Sequence, residues 1–211
     1  MIKAVIFDLD GVVCFTDKYH YLAWKALADE LGIYFDEKIN NRLRGVSRMA
    51  SLDIVLEKST VSYTEEQKLA FAEKKNTVYR QYLSEMSPAD LSPDVKNTMD
   101  SLRSSGLKLA IGSSSKNAAF ILSRLGLGNY FDAVSDGNNI SRSKPDPEVF
   151  LKAAEMLGES PGECVVVEDA LSGIEAAAAG GFIPAGIGEA ARHPAAIYRL
   201  SGFPDLNLLI K

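Results

Sequence analysis

The apolar run Ala4-Val5-Ile6-Phe7 ends in Asp8-Leu9-Asp10-Gly11, and this junction constrains the fold more than any other stretch of the chain. A short apolar run closed by charge predicts a strand over 2–8 that is buried on both faces, as in parallel sheets covered by helices. Two carboxylates at i, i+2 on a strand point to the same side. Held that close they repel, and a cation, a shared proton or a substrate must offset the repulsion. The junction thus predicts both a sheet and a charged site at its edge.

Composition narrows the class. With 211 residues, 46% hydrophobic and 24% charged, the chain is ordinary for a globular protein and long enough for one large domain or two small ones. A net charge of −5 argues against nucleic-acid binding driven by phosphate neutralisation. No window approaches the ~18 uninterrupted apolar residues of a membrane span. The short apolar run after Lys3 does not read as a signal peptide. Cys14 and Cys164 are too few for a disulfide framework and read as small buried hydrophobes, so the expected setting is the reducing cytoplasm.

Residues 17–31 predict a helix with Ala23, Leu27 and Leu31 on one stripe and Gly32 as its stop. The more polar stretch 36–85 reads as all helix. Within it, Thr64-Glu65-Glu66-Gln67 forms a capping box that opens a long helix reaching about residue 85. Ser87-Pro88 and Ser92-Pro93 mark the exit. From 93 onward strands expected at 107–111, 131–135, 164–167 and 182–186 alternate with helices at 116–125, 147–157 and 172–179. That order predicts an α/β fold with a parallel sheet, its first strand supplied by 1–14 and its core split by a helical insertion. No pattern stands out after Glu189. Ligands of such sheets bind beyond the carboxyl ends of the strands.

Four groups fall at those ends: Asp8 with Asp10, Ser113-Ser114-Ser115, Lys144 ahead of Pro145, and Glu168 with Asp169. Any one acid reads best as a turn cap, but four uncompensated carboxylates in register would be strongly destabilising. Hard oxygen donors without neighbouring His or Cys suit Mg²⁺, which keeps waters and bridges to phosphate. The serines open the helix expected from Lys116, where hydroxyls and free amides bind anions, although one of them can be a plain N-cap. Pro145 holds Lys144 extended, with Asp146 and Pro147 as N-cap and first residue of the next helix. A lysine so fixed suits a phosphate, whereas a lone lysine is more often a solvated surface residue.

In this order and spacing, Asp8-Leu9-Asp10-Gly11, Gly112-Ser113-Ser114, Lys144-Pro145 and Glu168-Asp169 resemble the motifs of the haloacid dehalogenase superfamily of phosphotransferases, over nearly the whole chain. The resemblance implies a Rossmann-like core, here 1–14 and 93–211, with a mobile helical cap at 15–92, and one Mg²⁺ per chain. It implies that Asp8 is the nucleophile that becomes an aspartyl-phosphate. Asp10 would be general acid/base, with its backbone carbonyl on the metal. Ser113 and Lys144 would hold the transferring phosphate, and Glu168 and Asp169 would complete the metal site with Asp8. These roles agree with a reaction that needs in-line positioning and charge neutralisation above all.

Within the superfamily the insertion is similar to that of the β-phosphoglucomutases, through Tyr19-His20, 23–28, Gly45-Val46-Ser47-Arg48, Ser51-Leu52, Lys75-Asn76, 87–90 and Ser115-Lys116-Asn117. By residue type alone, Arg48 suits bidentate phosphate recognition or an exposed helix–helix loop. Asn76 falls on a stripe with Leu69, Ala72, Tyr79 and Leu83, where an amide needs a polar partner. Lys75 beside it reaches the cleft or snorkels outward. His20 and Trp24 share a helix face at i, i+4. His20 can bond Asp10 or Lys75, and Trp24 walls the sugar pocket or belongs to the core. Thr16 is a candidate hinge.

The resemblance implies interconversion of β-D-glucose 1-phosphate and 6-phosphate, with β-glucose 1,6-bisphosphate as primer and intermediate. The sugar phosphate, the one expected partner, would be gripped by Asp10, His20, Trp24, Gly45, Val46, Ser47, Arg48, Ser51, Lys75, Asn76, Ser115, Lys116 and Asn117. A cap this small is compatible with a monomer. The alternatives are a sugar-phosphate phosphatase on the same fold and a binding protein on an inert core; the joint presence of Asp8, Asp10, Lys144 and Asp169 argues against the latter. The chain departs from the subfamily at Cys14-Phe15, where more polar residues are usual, and at Gly112 and Ser114, where alanine is common.

Overall fold

The computed structural model describes residues 1–210, so Lys211, the end of the expected core, lies outside them. Six strands, β1 (Ala4–Phe7), β2 (Lys108–Gly112), β3 (Ala133–Ser135), β4 (Cys164–Glu168), β5 (Ile183–Ile187) and β6 (Tyr198–Leu200), form one parallel sheet in the order β3-β2-β1-β4-β5-β6. The first strand is therefore central, and all four of its residues are fully buried.

The alternation of side chains along each strand creates two separate cores. Val5, Phe7, Leu109, Ile111, Val165 and Val167 face one way. Ala4, Ile6, Ala110, Cys164 and Val166 face the other. Helices cover both faces, which is what a parallel sheet requires. Between β1 and β2 run α1 (Asp17–Glu30), α2 (Glu37–Asn41), α3 (Arg48–Leu56), α4 (Glu65–Leu83) and α5 (Pro93–Ser104). Then come α6 (Ala118–Arg124), α7 (Glu148–Leu157) and α8 (Leu171–Ala179). Helices α5 and α6 pack on the first face, with Met99, Leu102 and Ile121 in its core. Phe150 of α7 and Ala176 of α8 pack on the second.

Helices α1–α4 hold their own apolar cluster, which includes Trp24, Leu27, Phe35, Leu52 and Ala72. The C-terminal end of α4 leaves that cluster, and its Tyr79 and Leu83 join the core of the sheet. The capping box at Thr64 forms as expected: the hydroxyl accepts from Gln67 N at 3.2 Å and Gln67 Oε1 accepts from Thr64 N at 2.9 Å. Cys14 and Cys164 are buried free thiols.

Several expectations shift. Pro93 opens α5 rather than only ending the cap, because proline fits the first position of a helix. Strand β6 and the 3-10 turn at Phe203–Ile210 were not expected; Phe203 and Leu206 are buried there. Helix α6 begins at Ala118, not Lys116, because Ser113 Oγ accepts from Ser115 N and Ser115 Oγ from Asn117 N, which keeps those residues in turns. Helix α7 begins at Glu148, one residue late, while Asp146 Oδ1 still accepts the Glu148 amide at 3.0 Å. Leu69 is 59% exposed and does not share the buried stripe of Ala72, Asn76, Tyr79 and Leu83. Gly112 has a steric reason: a Cβ there would lie 2.6 Å from Phe150 Cδ1.

Candidate active site

The chain leaves β1 at Phe7 and turns at once. Gly11 has φ +97°, and a single bridge from Asp10 to Cys14 closes a tight loop. Asp8 and Asp10 are therefore not side by side on one strand, as their spacing predicts; the turn sends them to different partners. The Asp8 carboxylate accepts from Lys144 Nζ, and the Asp10 carboxylate accepts from the Thr16 hydroxyl. Lys144 also donates to Glu168 Oε1 at 2.5 Å, with Phe150 beneath it at 4.7 Å from ammonium to ring centroid. Lys144 is thus buried below the acids rather than standing on the cleft wall.

One ligand oxygen each from Asp8, Glu168 and Asp169 lies within 4.8 Å of the others. An all-oxygen set of this kind fits a hard divalent cation such as Mg²⁺. The side chain of Asp10 is not part of that cluster, so the expected register of four acids holds for three. The electrostatics are those of an undercompensated site. Burial, then Asp8, pushes the Asp10 carboxyl up to about 7 against the pull of the Thr16 hydrogen bond. Burial, then Asp8 and Glu168, pushes Asp169 up to about 8. Burial alone would lower the Lys144 amine, but Asp8 and Glu168 overcome it and hold it above the usual lysine range. A carboxyl that titrates near 7 can both give and take a proton at neutral pH.

The strand-end loops and the four cap helices enclose a cleft of about 470 Å³. From the core it is lined by Asp8, Asp10, Ser113, Ser115, Lys116, Asn117, Glu168 and Asp169. From the cap come His20, Trp24, Gly45, Val46, Ser47, Arg48, Ser51, Lys75 and Asn76. Thr16 and Lys144 do not line it. Ser47 caps α3, its hydroxyl accepting from Ala50 N at 3.2 Å, which leaves Arg48 as the first helical residue. Arg48 donates to Asn76 Oδ1 at 2.8 Å, and Asn117 Nδ2 donates to the same oxygen at 3.0 Å, so the Asn76 amide joins cap to core. Ser114 Oγ donates to Gly45 O at 3.4 Å, a second such link.

His20 pairs with Lys75 rather than Asp10, Nδ1 to Nζ at 3.0 Å. Trp24 is both buried and on the wall, with Lys75 Nζ 4.7 Å from its ring. Two residues went unremarked in the sequence. Arg44 pairs with Asp17 and lies 3.7 Å from Asp169. Asn40 lines the cleft from α2. Only the position of Arg44 beside the Gly45 turn could have drawn attention to it.

Carboxylates at the ends of parallel strands, answered by a buried lysine and covered by a helical lid, are the equipment of an α/β phosphotransferase. The chain belongs to the haloacid dehalogenase-like hydrolase family, whose model matches residues 2–181. It is 41% identical over 189 residues to the β-phosphoglucomutase of Bacillus subtilis (strain 168), covering 89% of this chain and 84% of that one. It is 33% identical over 183 residues to a phosphorylated carbohydrates phosphatase of Thermotoga maritima, covering 85% and 82%. The crystal structure of β-phosphoglucomutase from Clostridium difficile matches with a TM-score of 0.91 at 38% identity, covering 98% of this chain and 93% of that chain. Among the described residues, no helix is long and apolar enough to cross a membrane.

Proposed function

We propose that the chain is a Mg²⁺-dependent phosphomutase that interconverts β-D-glucose 1-phosphate and β-D-glucose 6-phosphate through an aspartyl-phosphate at Asp8 and a β-glucose 1,6-bisphosphate intermediate. The observation that carries this reading is the two-walled cleft, with acids and serine loop on one side and Arg48, bonded to Asn76, on the other. A mutase must grip the phosphate that is not moving, and a guanidinium opposite the reacting acids serves that need. The 41% identity to a β-phosphoglucomutase supports the same substrate. In this reading 1–14 and 93–211 form the catalytic core and 15–92 the cap, and the protein works as a cytoplasmic monomer.

Magnesium held by Asp8, Glu168, Asp169 and the Asp10 carbonyl would offset the charge of the transferring phosphoryl group. The chain's own groups do the rest. Ser113 holds the phosphoryl oxygens, and Lys144, buried behind the acids, holds the Asp8 carboxylate in place and offsets its charge. Phospho-Asp8 gives its phosphoryl group to the sugar 6-hydroxyl while Asp10 takes the hydroxyl proton. The bisphosphate then turns end for end. Asp8 attacks the 1-phosphate and Asp10 returns the proton to the departing sugar oxygen. Arg48, Ser115, Lys116 and Asn117 hold whichever phosphate is idle; His20, Trp24, Gly45, Val46, Ser47, Ser51, Lys75 and Asn76 shape the sugar pocket. Thr16, bonded to Asp10 at the head of α1, couples the hinge to the acid/base, so that cap closure excludes water while Asp8 is phosphorylated.

The test supplies β-glucose 1-phosphate, Mg²⁺ and a trace of β-glucose 1,6-bisphosphate, and follows glucose 6-phosphate against free phosphate. Conversion to glucose 6-phosphate with little free phosphate is expected. Stoichiometric phosphate release without isomerisation would instead group the chain with its phosphatase relative.

A further inference from the structure

We propose that Asn40 is a specificity-determining residue whose carboxamide hydrogen-bonds a hydroxyl of the bound sugar phosphate at the cap end of the cleft. This rests on the sugar-phosphate reading above. Asn40 stands on α2 and is only 9% exposed, whereas its neighbour Asn41 is exposed. Its backbone is fully used: the amide donates to Asp36 O at 3.0 Å and the carbonyl accepts from Leu43 N at 2.9 Å. Its side chain is not. The Oδ1 atom is buried and has no hydrogen-bond partner.

Buried amides in folded proteins are normally bonded, and an orphan is a standing cost. Nothing local offsets it. Asparagine is a poor helix former, and the cap of α2 is already supplied by Asp36, which accepts from Ile39 N at 2.9 Å. An apolar side chain between the buried Ile39 and Leu43 would pack without that cost.

What the position does have is the cleft, which Asn40 lines together with Leu43, Ser51, Leu69 and Ala72. The carboxamide carries no charge, and a turn about its last torsion presents either its two N–H donors or its now buried acceptor to the cleft. That suits a sugar hydroxyl, which both donates and accepts, better than a phosphate, for which Arg48 stands on the same wall. A site built to bond a hydroxyl rejects the analogue that lacks it, because the amide is then left unpaired.

Trp24, the single tryptophan, lines the same cleft and reports binding by fluorescence. Wild type and Asn40→Leu are titrated, in Mg²⁺, with glucose 6-phosphate and its 2-, 3- and 4-deoxy analogues, and both proteins are melted without ligand. In the wild type one deoxy analogue binds about tenfold more weakly than the parent sugar. In Asn40→Leu the parent weakens by about the same factor, the discrimination disappears, and the free protein melts no lower. A purely structural amide behaves in the opposite way: the variant melts lower and discriminates as the wild type does, which overturns the proposal. Should Asn40→Leu fail to fold, Asn40→Ala carries the same comparison. If the wild type binds none of these sugars, the sugar-phosphate reading falls and this one with it. If the wild type discriminates and the variant does so equally, only the role of Asn40 falls.

Discussion

Lys75 Nζ lies 3.0 Å from His20 Nδ1, with the rings of Tyr79 and Trp24 at 4.4 and 4.7 Å and no carboxylate within ion-pair distance among the described residues. A buried amine and a half-buried imidazole thus stand side by side. Burial, then the nearby Arg48, brings the Lys75 amine down to about 7 from its ordinary 10.5. Burial, then Lys75, keeps His20 well below its ordinary 6.5.

Stability should therefore depend on pH with a definite sign. Between pH 7 and 10.5 the unfolded chain binds the Lys75 proton that the folded chain lacks, so stability rises with pH across that window. For His20 the same sign applies below 6.5, where stability falls as the pH is lowered. Urea unfolding of wild type against Lys75→Met, at intervals from pH 6 to 10, isolates the lysine. The wild type should gain on the variant as pH rises above about 7, and a flat difference would contradict the burial of a charged amine.

Lys144 is the only cation bonded to Asp8 and Glu168 among the described residues. Its replacement leaves buried carboxylates uncompensated, which costs about 3–5 kcal/mol. Lys144→Met should show that loss in urea unfolding at neutral pH, shrinking as the pH is lowered and the acids protonate. Phosphoryl transfer by the variant should be abolished.

Gly112 faces the ring of Phe150 and the Cγ2 of Ile6, so Gly112→Ala overpacks the second core. Overpacking of this kind costs about 1–3 kcal/mol. The double variant Gly112→Ala with Phe150→Leu should recover much of it in the same denaturation assay, and no recovery would place the strain elsewhere.

Gly45 has φ +72°, and a Cβ on it would come 2.5 Å from Ser172 Oγ on α8. Gly45→Ala should hold the cap away from the core, lowering kcat/KM for the sugar phosphate by about tenfold or more, with a small change in melting temperature. Adding Ser172→Ala should restore only part, because the left-handed backbone remains strained for alanine.

Much of this molecule is written locally. Strand β1 follows from an uninterrupted apolar run, the capping box from four adjacent residues, and the carboxylate, serine and lysine groups from their places after predicted strands. What stayed hidden depends on packing between distant segments. Strand β1 ends at Phe7, so neither Asp8 nor Asp10 stands on it, although their spacing alone predicts a common side of one strand. Pro93 punctuates the sequence in the same way whether it ends one unit or opens a helix. Leu69 has the helical period of a core residue, and only the tertiary structure turns it toward the cleft. Asn40 looks like any polar residue of a short helix until burial is known. Residues 198–210 pack through Leu200, Phe203 and Leu206, in elements too short to carry a period.

Phe7, the residue before Asp8, stacks on Phe203 with ring centroids 5.6 Å apart, and the strands flanking β1 begin at Lys108 and Cys164. This fixes an order of events during synthesis. The ribosome extrudes Asp8 first, and the lysine, glutamate and aromatic ring that hold it emerge much later. The cluster from Trp24 to Ala72 draws on nothing downstream and is free to form early. The growing chain thus carries a lid before it has a sheet, and the reactive carboxylate becomes usable only when nearly the whole polypeptide is available.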